Sequence, residues 1–476
     1  MTDHAPKPSE GCVQCVVLRK RNRRLQQRLR DLEASLRQTQ GRLDQLQRQL
    51  LELQQKLDRN SRNSSIPPSA NPPHAPPPVI KTPTGRHIGA QPGHRGHHRQ
   101  MLPAERVDEV IEHRPARCER CRRRLPDGGG EVGGRHQVME LPERAVAVRE
   151  HRAMSVWCPH CGHVTRGLIP AAIRKSVCGE RLSAAVCLIS SRVHGSRRIA
   201  AELLEDVLRA PLSLGGVSAR EREMTCALAG DYRRLQRSVR QAPVKHVDET
   251  GWKRAAKVLW VAATPTAAVF HLDRTRSRLA LHRLLGETIA GVLCTDRYGI
   301  YERHPPRLRQ LCWSHLKRDF VAQQEQPGPA GRWGKRASEL TEVLFQQWHR
   351  FRQGQITRAT LRRRLTPVRQ RMRRLLLQGV RSGIALPEGL CANLLRLEPA
   401  MWTFLRQEGV EPTNNHAERM LRPAVQWRKK SLGSHCEAGC RYAERMLSII
   451  QTCRLRGRSV MSHLEQALRL HRQAAV

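Results

Sequence analysis

The chain has 476 residues, and its 85 Lys and Arg outnumber 42 Asp and Glu to leave a formal charge of +43. That excess selects a polyanionic partner, since Lys and Arg neutralise phosphates and release counterions. It runs along the whole chain rather than in one tail, which favours a long nucleic-acid groove over a single docking patch. No apolar run reaches spanning length and no apolar segment follows a basic N-terminus, so a membrane partner is excluded and the expected location is the cytoplasm, with the nucleoid.

The length predicts more than one domain. With aromatics at only 4 %, the cores must rest on Leu, Val, Ile and Ala. Fifteen cysteines without a secretion signal fit a reducing compartment, where spaced pairs suggest metal ligands.

Residues 1–60 hold Cys12-x-x-Cys15 and a seven-residue repeat. One seam is Leu18, Leu25, Leu32, Thr39, Leu46 and Leu53; the other is Asn22, Leu29, Leu36, Leu43, Leu50 and Leu57. A narrow apolar stripe of this period must be buried against a partner helix, which predicts a coiled coil and a homodimer or higher oligomer. Asn22 and Thr39 cost stability there and help to fix register. Cys12 and Cys15 are either coincidence or an inter-chain site.

Residues 61–105 are rich in Pro, Gly, His and Arg and have few apolar side chains to offset ordering entropy, so they read as a disordered linker. Residues 106–170 carry Cys118-x-x-Cys121 and Cys158-x-x-Cys161, a donor set suited to one structural tetrahedral zinc. Short apolar stretches, Val138, Met139 and Leu141 and then Val146 and Val148 in alternation, can form strands between the pairs, as in a zinc ribbon, with His160 and His163 as spare donors. Residues 171–240 are helical, with a Gly-containing turn near 211–216; this is either a helix-turn-helix DNA reader or an inert helical spacer.

Beyond Pro243 the pattern becomes α/β. Short apolar runs at 244–248, 257–264 and 267–272 predict three strands, 277–285 a helix, and 289–295 a buried fourth strand. A fifth strand falls in 308–313 and a helix starts at His315. Three meandering strands, a crossover helix and a strand returning beside the first describe a ribonuclease H-like arrangement. The core is thus a mixed five-stranded sheet with helices, in which Asp248 and Asp296 end adjacent strands. Two converging carboxylates ionise together only at a cost unless a cation lies between them. Hard oxygen donors suit Mg²⁺ or Mn²⁺, and two such ions about 3.5–4 Å apart suit in-line phosphoryl transfer.

A third acid completes such a set. Glu418 lies just inside a helix that Asn414 or Asn415 can cap, with Arg422 on its face and Arg428, Lys429 and Lys430 beyond it, suited to a DNA backbone. Glu249 is the alternative to Asp248, but successive strand side chains face opposite ways, so only one of the two can face Asp296. Glu408 and Glu411 precede the helix start.

The runs HVDETGW around Asp248, CTDRYGIY around Asp296, CWSHLKRDF at 312–320 and NNHAERMLRPAVQWRKKSLGS at 414–434, with NSSIPPS and GAQPGHRGHHR upstream, resemble the DDE transposases of bacterial insertion-sequence type, in particular the insertion sequence sixty-six family. The resemblance implies that Asp248, Asp296 and Glu418 are the catalytic triad of a domain over 241–440, with a helical insertion at about 322–411 and C-terminal helices at 441–476. It implies a metal-dependent enzyme that cuts phosphodiesters at transposon ends and transfers the 3′-hydroxyl to target DNA. Its partners would be double-stranded DNA, other copies of the chain and accessory proteins of the same element. Arg297 stands after Asp296 where the family pattern carries Gly, and LSLGGVS at 212–218 is a loose form of the family's serine–glycine turn. Two other classes share parts of this pattern: a non-catalytic DNA-binding regulator and a repair or junction nuclease of the same fold.

Overall fold

The computed structural model of the chain describes residues 13–64, 71–72, 75, 101–128, 131–142, 145–174, 176–193, 195–252, 256–381, 386, 389–431, 434 and 436–474. Cys12, the side chain of Cys15, the histidines at 94, 97 and 98 and most of the expected linker lie outside these residues. Two compact units are formed, one from residues 1–77, 243–248 and 290–416, the other from 78–242, 249–289 and 417–476.

The first unit begins with α1, Val13–Leu57, a single helix of 45 residues. At a rise of 1.5 Å per residue it is about 68 Å long. The heptad leucines from Leu18 to Leu57 are each 54–69 % exposed, so nothing among the described residues buries the seam. The helix does not run on into loose linker at once. Asn60, 3 % exposed, accepts from the backbone of Arg62 at 2.9 Å, and its own N–H donates to Asn63 Oδ1 at 2.8 Å. Asn63 Nδ2 in turn reaches Glu325 Oε2 at 2.7 Å. Asn side chains that mimic backbone turns account for this local order.

Strand β3, Val244–Trp252, starts in the first unit, which also holds β6, Val292–Thr295, and β7, Arg309–Leu311. β6 is parallel to both, in register Val244↔Val292 through His246↔Cys294 and Leu293↔Arg309 through Thr295↔Leu311. β6 begins three residues later than its apolar run suggests, because Gly291 takes φ +72° just before it. Helices α8 (Trp313–Gln324), α9 (Gly328–Arg352), α10 (Arg358–Arg381), α11 (Leu390–Arg396), α12 (Glu398–Met401) and α13 (Thr403–Arg406) complete the unit. Four of the eight tryptophans gather in its core, with Trp313 and Trp402 rings edge to face at 5.0 Å and Trp333 edge-on to Phe320 at 5.8 Å. The sparse aromatics are concentrated where helices pack on the sheet. α9 crosses so close to the end of α8 that a Cβ at Gly334 would run into the backbone of Gln323 and Gln324.

In the second unit β1, Ser155–Trp157, and β2, Val164–Arg166, form an antiparallel pair around the second cysteine knuckle. Among the described residues of 138–148 the expected strands do not form: Val138 and Val148 are 80 % and 89 % exposed, with no facing layer over their side chains. Short α2, Ala171–Arg174, precedes four longer helices: α3 (Glu180–Arg192), α4 (Arg197–Leu208), α5 (Leu214–Ala227) and α6 (Ala229–Gln241). Strands β4, Lys257–Thr264, and β5, Ala267–Asp273, join through Pro265-Thr266 and are followed by α7, Arg278–Leu285. Helices α14 (Asn415–Ser431), α15 (Glu437–Leu455) and α16 (Val460–Gln473) end the chain's described part.

Strand order in the five-stranded sheet is β5-β4-β3-β6-β7, so the core is α/β with a mixed sheet. Both outer strands are capped by side chains, each within its own unit. On α15, Glu444, Ser448 and Thr452 accept the N–H groups of Leu272, Phe270 and Ala268 at 2.6, 2.9 and 3.1 Å. Four helical residues rise about 6 Å and two strand residues about 6.8 Å, so spacings of four and two match. On the other edge, Thr403 Oγ1 donates to Arg309 O at 2.5 Å and Gln310 Nε2 to Leu311 O at 2.7 Å. Both devices satisfy edge groups that would otherwise recruit another strand.

Candidate active site

The parallel strands of the first unit end on one side, where a loop crevice outside the carboxyl ends is the usual ligand site of open α/β sheets. Register places two acids there. His246 is level with Cys294, the last pair in the register; Asp248 follows two residues later on β3, and Asp296 comes directly after the end of β6. Neighbouring strands lie about 4.8 Å apart, and side chains level with each other on parallel strands share a face. Both carboxylates are half-buried.

The loop after β6 is built around its acid. Tyr298 N donates to Asp296 Oδ1 at 2.9 Å, an Asx turn that fixes the side chain. The Asp296 carbonyl accepts from Thr295 Oγ1 at 2.9 Å and from the buried Arg309 guanidinium at 3.2 Å. Arg309 also lies over the Tyr301 ring at 5.8 Å, and burial lowers its pKa to about 10. Arg297 turns away from the acids to pair with Asp319 Oδ2 on α8, at 3.1 Å through Nε and 2.8 Å through Nη2. Burial raises the Asp319 pKa and Arg297 opposes that rise. Arg297→Ala should therefore cost roughly 1–3 kcal/mol, the loss of hydrogen bonds to a charged group; urea unfolding with an unchanged midpoint would refute this.

The strand carrying Asp248 is tied to the chain that opens α14. Asn414, 1 % exposed, donates through Nδ2 to Val247 O at 2.7 Å, and its Oδ1 lies 3.2 Å from His246 Nδ1. Its own N–H points to Cys312 Sγ at 3.1 Å, while Ser314 donates to Asn415 Oδ1 at 3.3 Å. The His246 and His416 rings meet edge to face at 5.3 Å. Sequence reasoning reads Asn414 only as a helix cap and misses His246, His416 and Cys312. The adjacent Asn pair before a helix is the signal that could have found the tie.

In the second unit Glu418 occupies the first turn of α14, half-buried, one turn beyond Asn415. The rival acids are engaged elsewhere: Glu249 faces Arg276 at 3.9 Å, and in the first unit Glu411 pairs with Arg352. Of the four cations assigned to DNA, Arg422, Lys429 and Lys430 are exposed. Arg428 is instead half-buried and donates to Gly251 O and, at 3.2 Å, to Thr250 Oγ1.

The chain belongs to the IS66 family of transposases. The family model described as Transposase IS66 family matches residues 177–442, more than half of the chain. Residues 10–100 match a second model, described as a family of unknown function. No curated protein matches. A transposase binds DNA, and the family implies divalent metal use. Among the described residues no helix is long and apolar enough to cross a membrane.

The two cysteine pairs of this transposase form matching knuckles. Cys118 O accepts from Arg122 N and Cys158 O from Gly162 N, both at 2.9 Å, and these donors take φ 60° and 71°. Backbone N–H groups of Cys121 and Arg120 lower the Cys118 pKa, as those of His160 and Cys161 lower that of Cys158. The structure does not gather the quartet: among the described residues no three of these sulfurs lie within 4.8 Å of one another.

Proposed function

We propose that this family member is a DDE transposase that cleaves phosphodiesters at transposon ends and joins the freed 3′-hydroxyls to target DNA, using Asp248, Asp296 and Glu418. The parallel pairing of β3 with β6, which ends two residues before Asp248 and Asp296, is the observation that carries this reading. The strand order, with β3, β4 and β5 on one side and β6 and β7 on the other, supports a ribonuclease H-like core interrupted by a helical insertion.

The donor chemistry fits the metals the family implies. Carboxylates are hard oxygen ligands for Mg²⁺ or Mn²⁺. When bound, two such ions activate the attacking oxygen and stabilise the leaving one. The protein's own share is positional: Tyr298 N holds Asp296, Asn414 ties Val247 in the middle of β3 to the start of α14, and that helix presents Glu418 in its first turn. Carboxylates at helix N-termini are favoured by the backbone dipole. Arg422, Lys429 and Lys430 suit the DNA backbone, with Arg428 cast as a brace for β3 that reaches DNA only at the cost of its internal bonds.

Three accessory assignments accompany the core. The exposed leucine seam of α1 is read as a coiled coil that joins copies of the chain. The two knuckles are read as halves of one zinc site that closes when their thiolates meet, since lowered thiol pKa values suit metal ligation. Helices α4 and α5, joined by the turn at 209–213 over a core of Val186, Leu204 and Val217, are read as a helix-turn-helix.

The deciding experiment incubates the full chain with Mn²⁺ and duplexes made from the ends flanking its gene. Cleavage with joining to a target plasmid is expected; tight binding of the ends with no cleavage in either metal would make the protein a regulator instead. Leu36→Asp with Leu43→Asp should return the chain to a monomer in sedimentation, and unchanged assembly in that variant would remove α1 as the joining element.

A further inference from the structure

We propose that the helical insertion carries a cleft for phosphates of a DNA backbone, built on Arg362, Arg369 and Arg406. The cleft has a volume of about 520 Å³ and is lined by these three residues with Thr366, Trp402 and Leu405. Positions 362, 366 and 369 recur at helical spacing and so share one face of α10. Arg406 closes the cleft from the end of α13, and Trp402 and Leu405, 1 % and 5 % exposed, form a dry floor. Guanidinium forks around an apolar base match the planar, bidentate demand of a phosphate oxygen pair.

Internal bonds occupy only part of these forks. Arg362 Nε donates to Leu405 O at 3.2 Å, Arg369 Nε to Glu398 Oε1 at 2.7 Å, and Arg406 Nη2 to Pro399 O at 3.0 Å and Thr403 Oγ1 at 3.2 Å. Each guanidinium offers five donors. Three cations therefore converge with one carboxylate among them. Burial first, then the charges of Arg369 and Arg307, hold the Arg406 pKa below its ordinary value, with Glu398 opposing. Crowded like charges disfavour the empty cleft and favour one that holds an anion. Capping of the α13 carbonyls explains the Arg362 Nε bond, but it does not require three cations around an open cavity.

The cleft rests on the reading of DNA as partner and is independent of the acid triad. Its test measures binding of the full chain to a duplex of arbitrary sequence by fluorescence anisotropy across a salt series. The wild type is compared with R362Q/R369Q/R406Q and with R362K/R369K/R406K, each checked for folding by thermal melting. The glutamine triple should show a slope of log K against log salt shallower by about 2 to 3, and the lysine triple a near-native slope. If both triples keep the native slope and only lose melting temperature, the arginines merely brace α13 and the proposal fails. Inorganic phosphate bound by the wild type in calorimetry, with an unchanged slope in the glutamine triple, would assign the cleft to free phosphate and overturn the DNA source. Should the glutamine triple not fold, R362Q and R406Q alone should each make the slope shallower by about 1.

Discussion

Asp296→Asn should reduce end cleavage and strand transfer by roughly 10²–10³-fold or more, the scale on which one preorganised charged group acts at a reacting centre, while end binding stays within a few-fold. The amide keeps the shape and the Asx turn, because its Oδ1 still accepts from Tyr298 N. What it loses is the negative charge, and with it one of the hard oxygen donors proposed to hold the metal. Asp248→Asn should act in the same direction, for the same reason. Glu249→Gln makes the control: its carboxylate faces Arg276, so activity should change little beyond a small stability loss. Radiolabelled end cleavage and plasmid joining give the readout. A variant at Asp296 that still joins ends at near-native rate would remove the triad, whatever becomes of the family membership.

Much of the core was legible in sequence for a simple reason. Runs such as KVLWVAAT and AAVFHLD are largely apolar and flank a Pro-Thr turn, and both are buried along most of their length. Short buried strands of this kind leave few alternatives. The adjacency of β3 and β6, the strands that lead to Asp248 and Asp296, followed from the crossover. Less could be read where two distant segments meet. Nothing in the polar spacing of Glu444, Ser448 and Thr452 announces that they cap the N–H groups of an edge strand more than 170 residues earlier. The alternation over 138–148 misled because alternation specifies a strand only when a second layer covers one face, and these residues stay exposed. The cysteine pairs were legible as local knuckles, since two residues between thiols is a local geometry. Their meeting as a quartet is a long-range matter that spacing does not fix.

Asn414 is the clearest case of a residue whose weight lies in long-range geometry, and its replacement should have the second largest effect. Asn414→Ala removes the donor to Val247 O and the acceptor beside His246 in one step, at a site that is 1 % exposed. Leaving the Val247 carbonyl and the imidazole without that partner should cost roughly 1–3 kcal/mol in urea unfolding. Activity should fall further than stability explains. Asn414 fixes Val247 on β3, just before Asp248, and the chain that opens α14, which carries Glu418 in its first turn. Displacements near 1 Å in such groups lower rates by up to about 10²-fold. The expected signature is a 10- to 100-fold loss in the cleavage rate constant with unchanged end affinity, on a chain that remains folded at the assay temperature. Asn414→Asp should not rescue, because it keeps an oxygen toward His246 but has no donor for Val247 O. Equal losses of binding and cleavage would make Asn414 a residue of general stability; a selective loss of cleavage makes it the brace that sets the acids in place.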